Sequence, residues 1–129
     1  MQYGLLVMGA PYSSVSPHSA LRFAHTIIAR GHSLSGVFFY HDGVHNASSL
    51  MVPPQDELNL YHAWVALHQQ HDVPLDVCIA AALRRGLLSE AEAQRHGKQA
   101  FNVAPPFELT GLGQLHELQQ RSDRFITFS

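Results

Sequence analysis

The sequence contains little cysteine and little charge, and both shortages exclude whole classes of protein. There is one cysteine, Cys78, among 129 residues, so no internal disulfide can form and the fold does not depend on an oxidising compartment. Charged residues make up 14% of the chain, the formal net charge is -2, and the largest basic cluster is the pair Arg84 and Arg85. A protein that contacts nucleic acid extensively needs many phosphate-binding cations, so we expect no direct nucleic-acid contact.

Long apolar runs are also missing. The first run, within MQYGLLVMGAP, has no basic flank and is too short for a signal peptide or a membrane span. We therefore expect it to be the first strand of a cytoplasmic protein with no membrane contact. A length of 129 residues with 46% hydrophobic residues predicts one domain, residues 1–129, with its own core. The low charge suggests that part of the surface is buried against other subunits.

Strand and helix signals alternate along the chain. Short apolar runs predict the strands Tyr3–Met8, Ser33–Tyr40, Leu75–Ile79, Phe107–Thr110 and Arg124–Phe128, the last of them at or next to a sheet edge. Helical spacing and capping residues predict the helices His18–Arg30, Glu57–His71, Ala80–Arg85, Glu90–His96 and Gly111–Ser122. This order predicts an α/β fold: a single three-layer domain whose mostly parallel, five-stranded sheet has helices on both faces, joined by right-handed crossovers.

Two polar connections follow the first two predicted strands, and the second of them, His41–Asp56, is long. A long connection in a compact domain is usually functional or mobile. The carboxyl ends of parallel strands meet at one edge of the sheet, so we expect the polar side chains of both connections to converge there with Cys78. These side chains are Ser13, Ser14, Ser16, His41, Asp42 and His45.

Cys78 is the candidate catalytic residue. It stands where an apolar run gives way to helix-favouring residues, which places it at the carboxyl edge of the predicted sheet, where open α/β folds bind ligands. Helix N-terminal amides, with Arg84 or Arg85, would stabilise a thiolate there. The alternative is an inert core cysteine, because free cysteine is among the most buried residue types.

The spacing between Cys78 and Arg84 offers a second chemistry. Five residues separate them, as in the phosphate-binding loop of cysteine phosphatases, where a thiolate attacks phosphorus and an arginine holds the oxyanion. The intervening residues, Ile-Ala-Ala-Ala-Leu, contain no glycine and favour a helix over such a loop. Phosphatase activity is therefore the weaker hypothesis.

The ten histidines include two pairs with metal-ligand spacing, His41 with His45 and His68 with His71. No cluster of acidic or cysteine ligands accompanies them, so we expect neither a metal nor a cofactor site. His68 and His71 end a predicted helix, where a positive ring is favourable. His41 or His45 acting as a base for Cys78 remains an alternative.

Three segments resemble the DsrE/DsrF-like sulfur-relay family, and within it most closely the TusD-type subunits. They are VFFYHDGVHNA (Val37–Ala47), VCIAAALRRG (Val77–Gly86) and FELTGLGQLHELQQRSDRFITF (Phe107–Phe128). The resemblance runs over nearly the whole chain, and its specific part is the middle segment with the single cysteine.

The resemblance implies a cytoplasmic sulfurtransferase in which Cys78 carries sulfane sulfur as a persulfide. It implies a heterohexamer with TusB-like and TusC-like subunits, a TusA-like sulfur donor, a TusE-like acceptor, and use of the sulfur for 2-thiolation of the tRNA wobble uridine. The alternatives are a DsrE-type persulfide carrier in dissimilatory sulfur oxidation and a non-catalytic structural subunit. Persulfide relay needs no metal or nucleotide. The connection His41–Asp56 is hypothesised to gate access to the sulfur.

Overall fold

The computed structural model describes residues 1–129 and contains one five-stranded sheet. Its strands are β1 (Gln2–Val7), β2 (Ser33–Phe39), β3 (Leu75–Cys78), β4 (Phe107–Thr110) and β5 (Arg124–Phe128). Its helices are α1 (Ser16–Ala29), α2 (Leu60–His71), α3 (Ile79–Arg84), α4 (Glu90–Arg95) and α5 (Leu112–Arg121). The spatial order is β4-β3-β2-β1-β5, and every neighbouring pair is parallel. The α/β prediction is confirmed, with a sheet that is wholly rather than mostly parallel and with β5 at an edge.

The strand order assigns the helices to opposite faces of the sheet. From β1 to β4 each strand lies beside its predecessor in one direction, so right-handed crossovers put α1 and α2 on one face. The chain then returns past β1 to reach β5, which puts α5 on the other. We name these the α1–α2 face and the α5 face. Two residues of β2 show the two faces. Phe39 packs edge-on against Trp64 of α2, with ring centroids 5.1 Å apart. Gly36 faces α5, since a Cβ added to it would lie 3.2 Å from Leu118.

The core is densest on the α1–α2 face. Side chains alternate between the two faces along each strand. Towards the carboxyl ends of the three central strands, the side chains that point to this face are at most 1% exposed: Leu5, Val7, Val37, Phe39, Leu75 and Val77. The register pairs Val37 with Leu75 and Phe39 with Val77, so these apolar side chains lie side by side against α2.

One buried amide joins three parts of this layer. Asn46 is fully buried, and its Oδ1 accepts a hydrogen bond from the Trp64 indole N–H at 3.1 Å. Its Nδ2 donates to the carbonyl oxygens of Gly9 at 3.3 Å and Gly43 at 2.9 Å. Asn46 therefore fixes the connection after β1 and the segment after β2 against α2.

The long connection His41–Asp56 is not irregular throughout. Its first part, His41–Ala47, is a 3-10 helix, which the sequence does not predict. Its residue Gly43 lies so close to β1 that an added Cβ would clash with the Val7 carbonyl oxygen. Tertiary packing of this kind leaves no periodic signal in the sequence. No helix combines the length and apolar character that crossing a membrane would require.

Helix boundaries follow their caps. The N–H of His62 donates to the Asn59 side chain at 3.1 Å, so α2 begins at Leu60 and not at Glu57. Ser89 caps α4 as expected, with its Oγ accepting from the Glu92 N–H at 3.2 Å.

Candidate functional site

Cys78 is the last residue of β3 and the N-cap of α3, at the strand-to-helix junction where the sequence predicts it. Its backbone is still extended (φ -61°, ψ 116°), so the alternation along β3 continues to its side chain. Val77 therefore points to the α1–α2 face, while Asp76 and Cys78 point to the α5 face. Cys78 is 3% exposed, so its thiol lies at the carboxyl edge of the sheet but under cover.

Strand β4 places two polar residues beside this part of β3. The register pairs Asp76 with Glu108 and Cys78 with Thr110. Neighbouring strands lie about 4.8 Å apart, so side chains at paired positions on one face are adjacent. The Thr110 Oγ1 atom is buried and has no hydrogen-bond partner. Cys78 thus shares the α5 face with one unpaired hydroxyl and two carboxyl groups.

Asp76 and Glu108 are a pair of neighbouring acidic side chains on the α5 face. Burial raises the pKa of Asp76, and the neighbouring charge of Glu108 raises that pKa further, while Arg121 of α5 opposes the shift. The net direction is upward, and burial is its largest cause. Strands β3 and β4 bring two carboxyl groups and no basic side chain to the face that carries Cys78.

The two arginines expected near the thiolate lie elsewhere. Arg85 donates from Nε to the Asp42 Oδ1 at 2.8 Å and from Nη1 to the Ala81 carbonyl oxygen at 3.1 Å. This ion pair lowers the pKa of Asp42, chiefly through the hydrogen bond. Arg84 is the last residue of α3, about 9 Å along the helix from Cys78 at 1.5 Å per residue. The expectation that either arginine supports the thiolate is not supported by this geometry.

The same helix argues against the phosphatase hypothesis. Residues Ile79–Arg84 form α3, as their composition predicts, and not a loop wrapped around an anion. An arginine at the far end of a helix is not placed to hold an oxyanion beside the thiolate.

The polar connections after β1 and β2 meet each other in a cleft. Ser13, Asp42 and His45 line an open cleft of about 440 Å³. Tyr12 forms one wall, since its hydroxyl donates to the Leu58 carbonyl oxygen at 2.7 Å. Cys78 does not line this cleft. The 3-10 helix that carries His41, Asp42 and His45 packs on β3 and α3, which meet at Cys78, so the expected convergence of these side chains on Cys78 stays a prediction.

The remaining predicted polar residues have structural environments. The Ser14 Oγ accepts from the Ser16 N–H at 3.1 Å, and Ser16 is buried at the start of α1. His41 stacks on Tyr40 with ring centroids 4.2 Å apart. The His68 Nδ1–H donates to the Val73 carbonyl oxygen at 3.0 Å. No group of three or more histidine, cysteine or acidic side chains is arranged to hold a metal ion.

Three residues of this region were not identified from the sequence. Asp76 carries a signal that would have found it, because an acid inside an apolar strand two residues before a cysteine shares its face. Thr110 becomes visible only when the β3–β4 register is known. Asn46 lies within a polar segment that gives no indication of burial.

Comparisons with known proteins give the family. The DsrE/DsrF-like family profile matches residues 1–128. Sulfurtransferase TusD of Salmonella newport is 47% identical over 128 residues, which cover 99% of this chain and 100% of the relative. The putative sulfurtransferase DsrE of Allochromatium vinosum is 42% identical, with 99% and 98% covered. Among solved structures, the ychN protein from E. coli superposes with a TM-score of 0.76 at 22% identity, covering 99% of this chain and 100% of its own, which shows a shared fold.

These findings test the enzyme class and the family that the sequence predicts. The relatives that match over their full lengths are named sulfurtransferases, which confirms the expected enzyme class at the level of the family. The family profile spans almost every residue, including the cysteine segment. The chain belongs to the DsrE/DsrF-like family.

Proposed function

We propose that this chain is a sulfurtransferase subunit that carries sulfane sulfur as a persulfide on Cys78. The main support is its full-length similarity to proteins named sulfurtransferase, combined with one cysteine at the carboxyl edge of the sheet. Thiolates are the nucleophiles of sulfur exchange. Because the chain has no second cysteine, the donor and acceptor thiols belong to other proteins.

The transfer is a thiol exchange without net oxidation. The Cys78 thiolate attacks the outer sulfur of a donor persulfide, R–S–SH, forming a new S–S bond. The donor S–S bond breaks, and the donor leaves as R–S⁻. The product is Cys78–S–SH, which an acceptor thiolate empties by the same reaction in the next step.

Access to the sulfur is the step that burial controls. Cys78 is 3% exposed, so a donor cannot reach it without local movement or rearrangement on docking. Helix α5 packs on β1 and β2, and Glu108 on β4 is exposed to solvent. In this proposal partners approach over β3 and β4 on the α5 face. The segment His41–Asp56 also packs on β3 and α3 through its 3-10 helix, so it stays a candidate gate to the sulfur; deleting its exposed tip should then change the rate of sulfur transfer from the donor.

The partners in this proposal follow the family resemblance. The donor is TusA-like, the acceptor is TusE-like, and TusB-like and TusC-like subunits complete a cytoplasmic heterohexamer. The final product is 2-thiolated wobble uridine in tRNA. Exposed apolar side chains support assembly with other subunits, since Leu50 is 68% and Val52 91% exposed in the single chain. Native mass spectrometry of the chain expressed with candidate subunits measures that assembly.

Two further hypotheses each have one observation in their favour. The 42% identity to a putative sulfurtransferase DsrE supports a persulfide carrier in sulfur oxidation, with the same chemistry and another destination. The burial of Cys78 supports a structural subunit with an inert cysteine. The first differs only in the acceptor, whereas the second predicts that no sulfur is ever bound.

Intact mass spectrometry after incubation with a persulfidated donor protein, alone and in the assembled complex, tests the proposal. We expect the wild-type chain to gain the mass of one sulfur atom, reversibly on reduction, and Cys78→Ser to gain none. Ala81→Ser is the matched control: it adds a hydroxyl at a buried position of α3 but keeps the thiol. A wild-type chain that gains no sulfur even in the complex would establish the structural-subunit hypothesis instead.

A further inference from the structure

A hydroxyl beside Cys78 is buried without any hydrogen-bond partner. The Thr110 Oγ1 exposes less than 1 Å² to solvent and makes no hydrogen bond. Buried hydroxyls are almost always paired, because leaving one unpaired costs stability. We propose that Thr110 binds the outer sulfur of the Cys78 persulfide, donating a hydrogen bond from Oγ1. This inference rests on the proposed function.

The register of the sheet carries the geometry of this contact. Thr110 and Cys78 are the last paired residues of β4 and β3, directly opposite each other. Asp76 and Glu108, two residues earlier on the same strands, also stand opposite each other and point to the α5 face. Because residues two apart on a strand share a face, the side chains of Cys78 and Thr110 lie on the α5 face as well. The strands are about 4.8 Å apart, and a persulfide extends the side chain by one S–S bond of about 2.05 Å. The added sulfur therefore comes within reach of a hydroxyl that the bare thiol leaves unpaired.

The Thr110 hydroxyl is a neutral donor among charged groups. Asp76 from β3 and Glu108 from β4 share the α5 face with Cys78, and Arg121 from α5 acts on the pKa of Asp76 in the direction opposite to Glu108. His41 is stacked on Tyr40 at the end of β2 and makes no ion pair. A neutral donor at Thr110 favours the anionic persulfide, since hydrogen bonds to charged acceptors are the stronger ones.

The test compares three side chains at one position. Thr110→Val keeps the shape and removes the hydroxyl, whereas Thr110→Ser keeps the hydroxyl and removes the methyl group. Thr127→Val is the matched control, because Thr127 points to the same face from β5, on the far side of the sheet from Cys78. Each chain is incubated with glutathione persulfide, and the fraction carrying one added sulfur is followed by intact mass, first during loading and then during decay in dithiothreitol.

We expect Thr110→Val to lower the equilibrium persulfide fraction, by about tenfold in the loading constant, as for loss of a hydrogen bond to a charged group. Thr110→Ser restores most of it, and Thr127→Val matches the wild type. Equal loading in wild type and Thr110→Val overturns the inference, as do equal losses in the valine and serine variants. If Thr110→Val does not fold, Thr110→Ala takes its place in the comparison with Thr110→Ser. A wild-type chain that never loads overturns the proposed function, and the inference with it.

Discussion

The two faces of the sheet differ in the polar groups that their strands carry. On the α1–α2 face the strands present apolar side chains at most 1% exposed, and the buried amide of Asn46 makes three hydrogen bonds. On the α5 face the pKa of Asp76 is raised by burial and by Glu108, and the Thr110 hydroxyl is unpaired. The strands are apolar towards α1 and α2, whereas towards α5 they carry polar groups that reduce stability. The other unpaired buried hydroxyl, the Ser16 Oγ, lies on helix α1 and not on a strand.

This difference explains where a reactive group can be held. Groups that are costly in the folded state persist where the rest of the structure compensates for them. Cys78 belongs to the α5 face, while the next residue back, Val77, belongs to the α1–α2 face and is fully buried. The strand therefore anchors the cysteine through one side and presents it on the other.

The largest stability change is expected from the α1–α2 face, at Trp64. Trp64→Ala removes a fully buried ring that contacts Phe39 and leaves the Asn46 Oδ1 without its donor. We expect a loss of about 3–5 kcal/mol in the free energy of unfolding, measured by denaturant titration. Trp64→Phe, which keeps most of the ring but not the N–H, separates the packing loss from the hydrogen-bond loss. A loss under about 1 kcal/mol for Trp64→Ala would contradict the assignment of this face as the main core.

The next effect comes from backbone contact at Gly43. A Cβ there would clash with the Val7 carbonyl oxygen and lie 2.8 Å from the Val7 carbonyl carbon, and these backbone atoms cannot rotate away. We expect Gly43→Ala to lower stability by about 1–3 kcal/mol, as overpacking does. Gly113→Ala is its control, because no atom lies within 4 Å of the added Cβ in α5. That change should stabilise the chain by about 0.5–1 kcal/mol through helix propensity. Equal effects of the two changes would show that the 3-10 helix is not packed tightly on β1.

Local patterns were sufficient for the elements and for the position of Cys78. An apolar run followed by alanines predicts a strand-to-helix junction, and the structure has β3 end and α3 begin there. The Ser89 cap was equally local, since it depends on a residue three positions away. Features that a few consecutive residues determine were therefore predictable.

Contacts between distant segments were not predictable in the same way. The Asp42–Arg85 ion pair joins residues 43 positions apart, so the sequence suggested a role for Arg85 beside the thiolate that the fold does not give it. The pairing of Cys78 with Thr110 depends on strand register, which no local pattern specifies. The sequence therefore predicted Cys78 itself but not the side chains that surround it.

The smallest predicted effects are those of two carboxyl groups whose pKa values shift in opposite directions. Because burial and Glu108 raise the pKa of Asp76, its folded state is most favoured below the ordinary carboxyl pKa of about 3.9, and that stability is lost as the pH rises through the raised pKa. Asp76→Asn removes this penalty, so we expect a stability gain at pH 7 that disappears below about pH 4.

Asp42 supplies the matched control of opposite sign. Arg85 lowers the pKa of Asp42, so the stability it contributes is present above the ordinary carboxyl pKa and is lost as the pH falls through the lowered one. Asp42→Asn should therefore lose stability at pH 7, and only slightly, because the Asp42 side chain is largely exposed to solvent. Unfolding curves of both variants at pH 7 and at pH 3.5 decide the matter. A loss of stability in Asp76→Asn at pH 7 would mean that its carboxylate is satisfied by Arg121, and the contrast between the two faces would then rest on Thr110 alone.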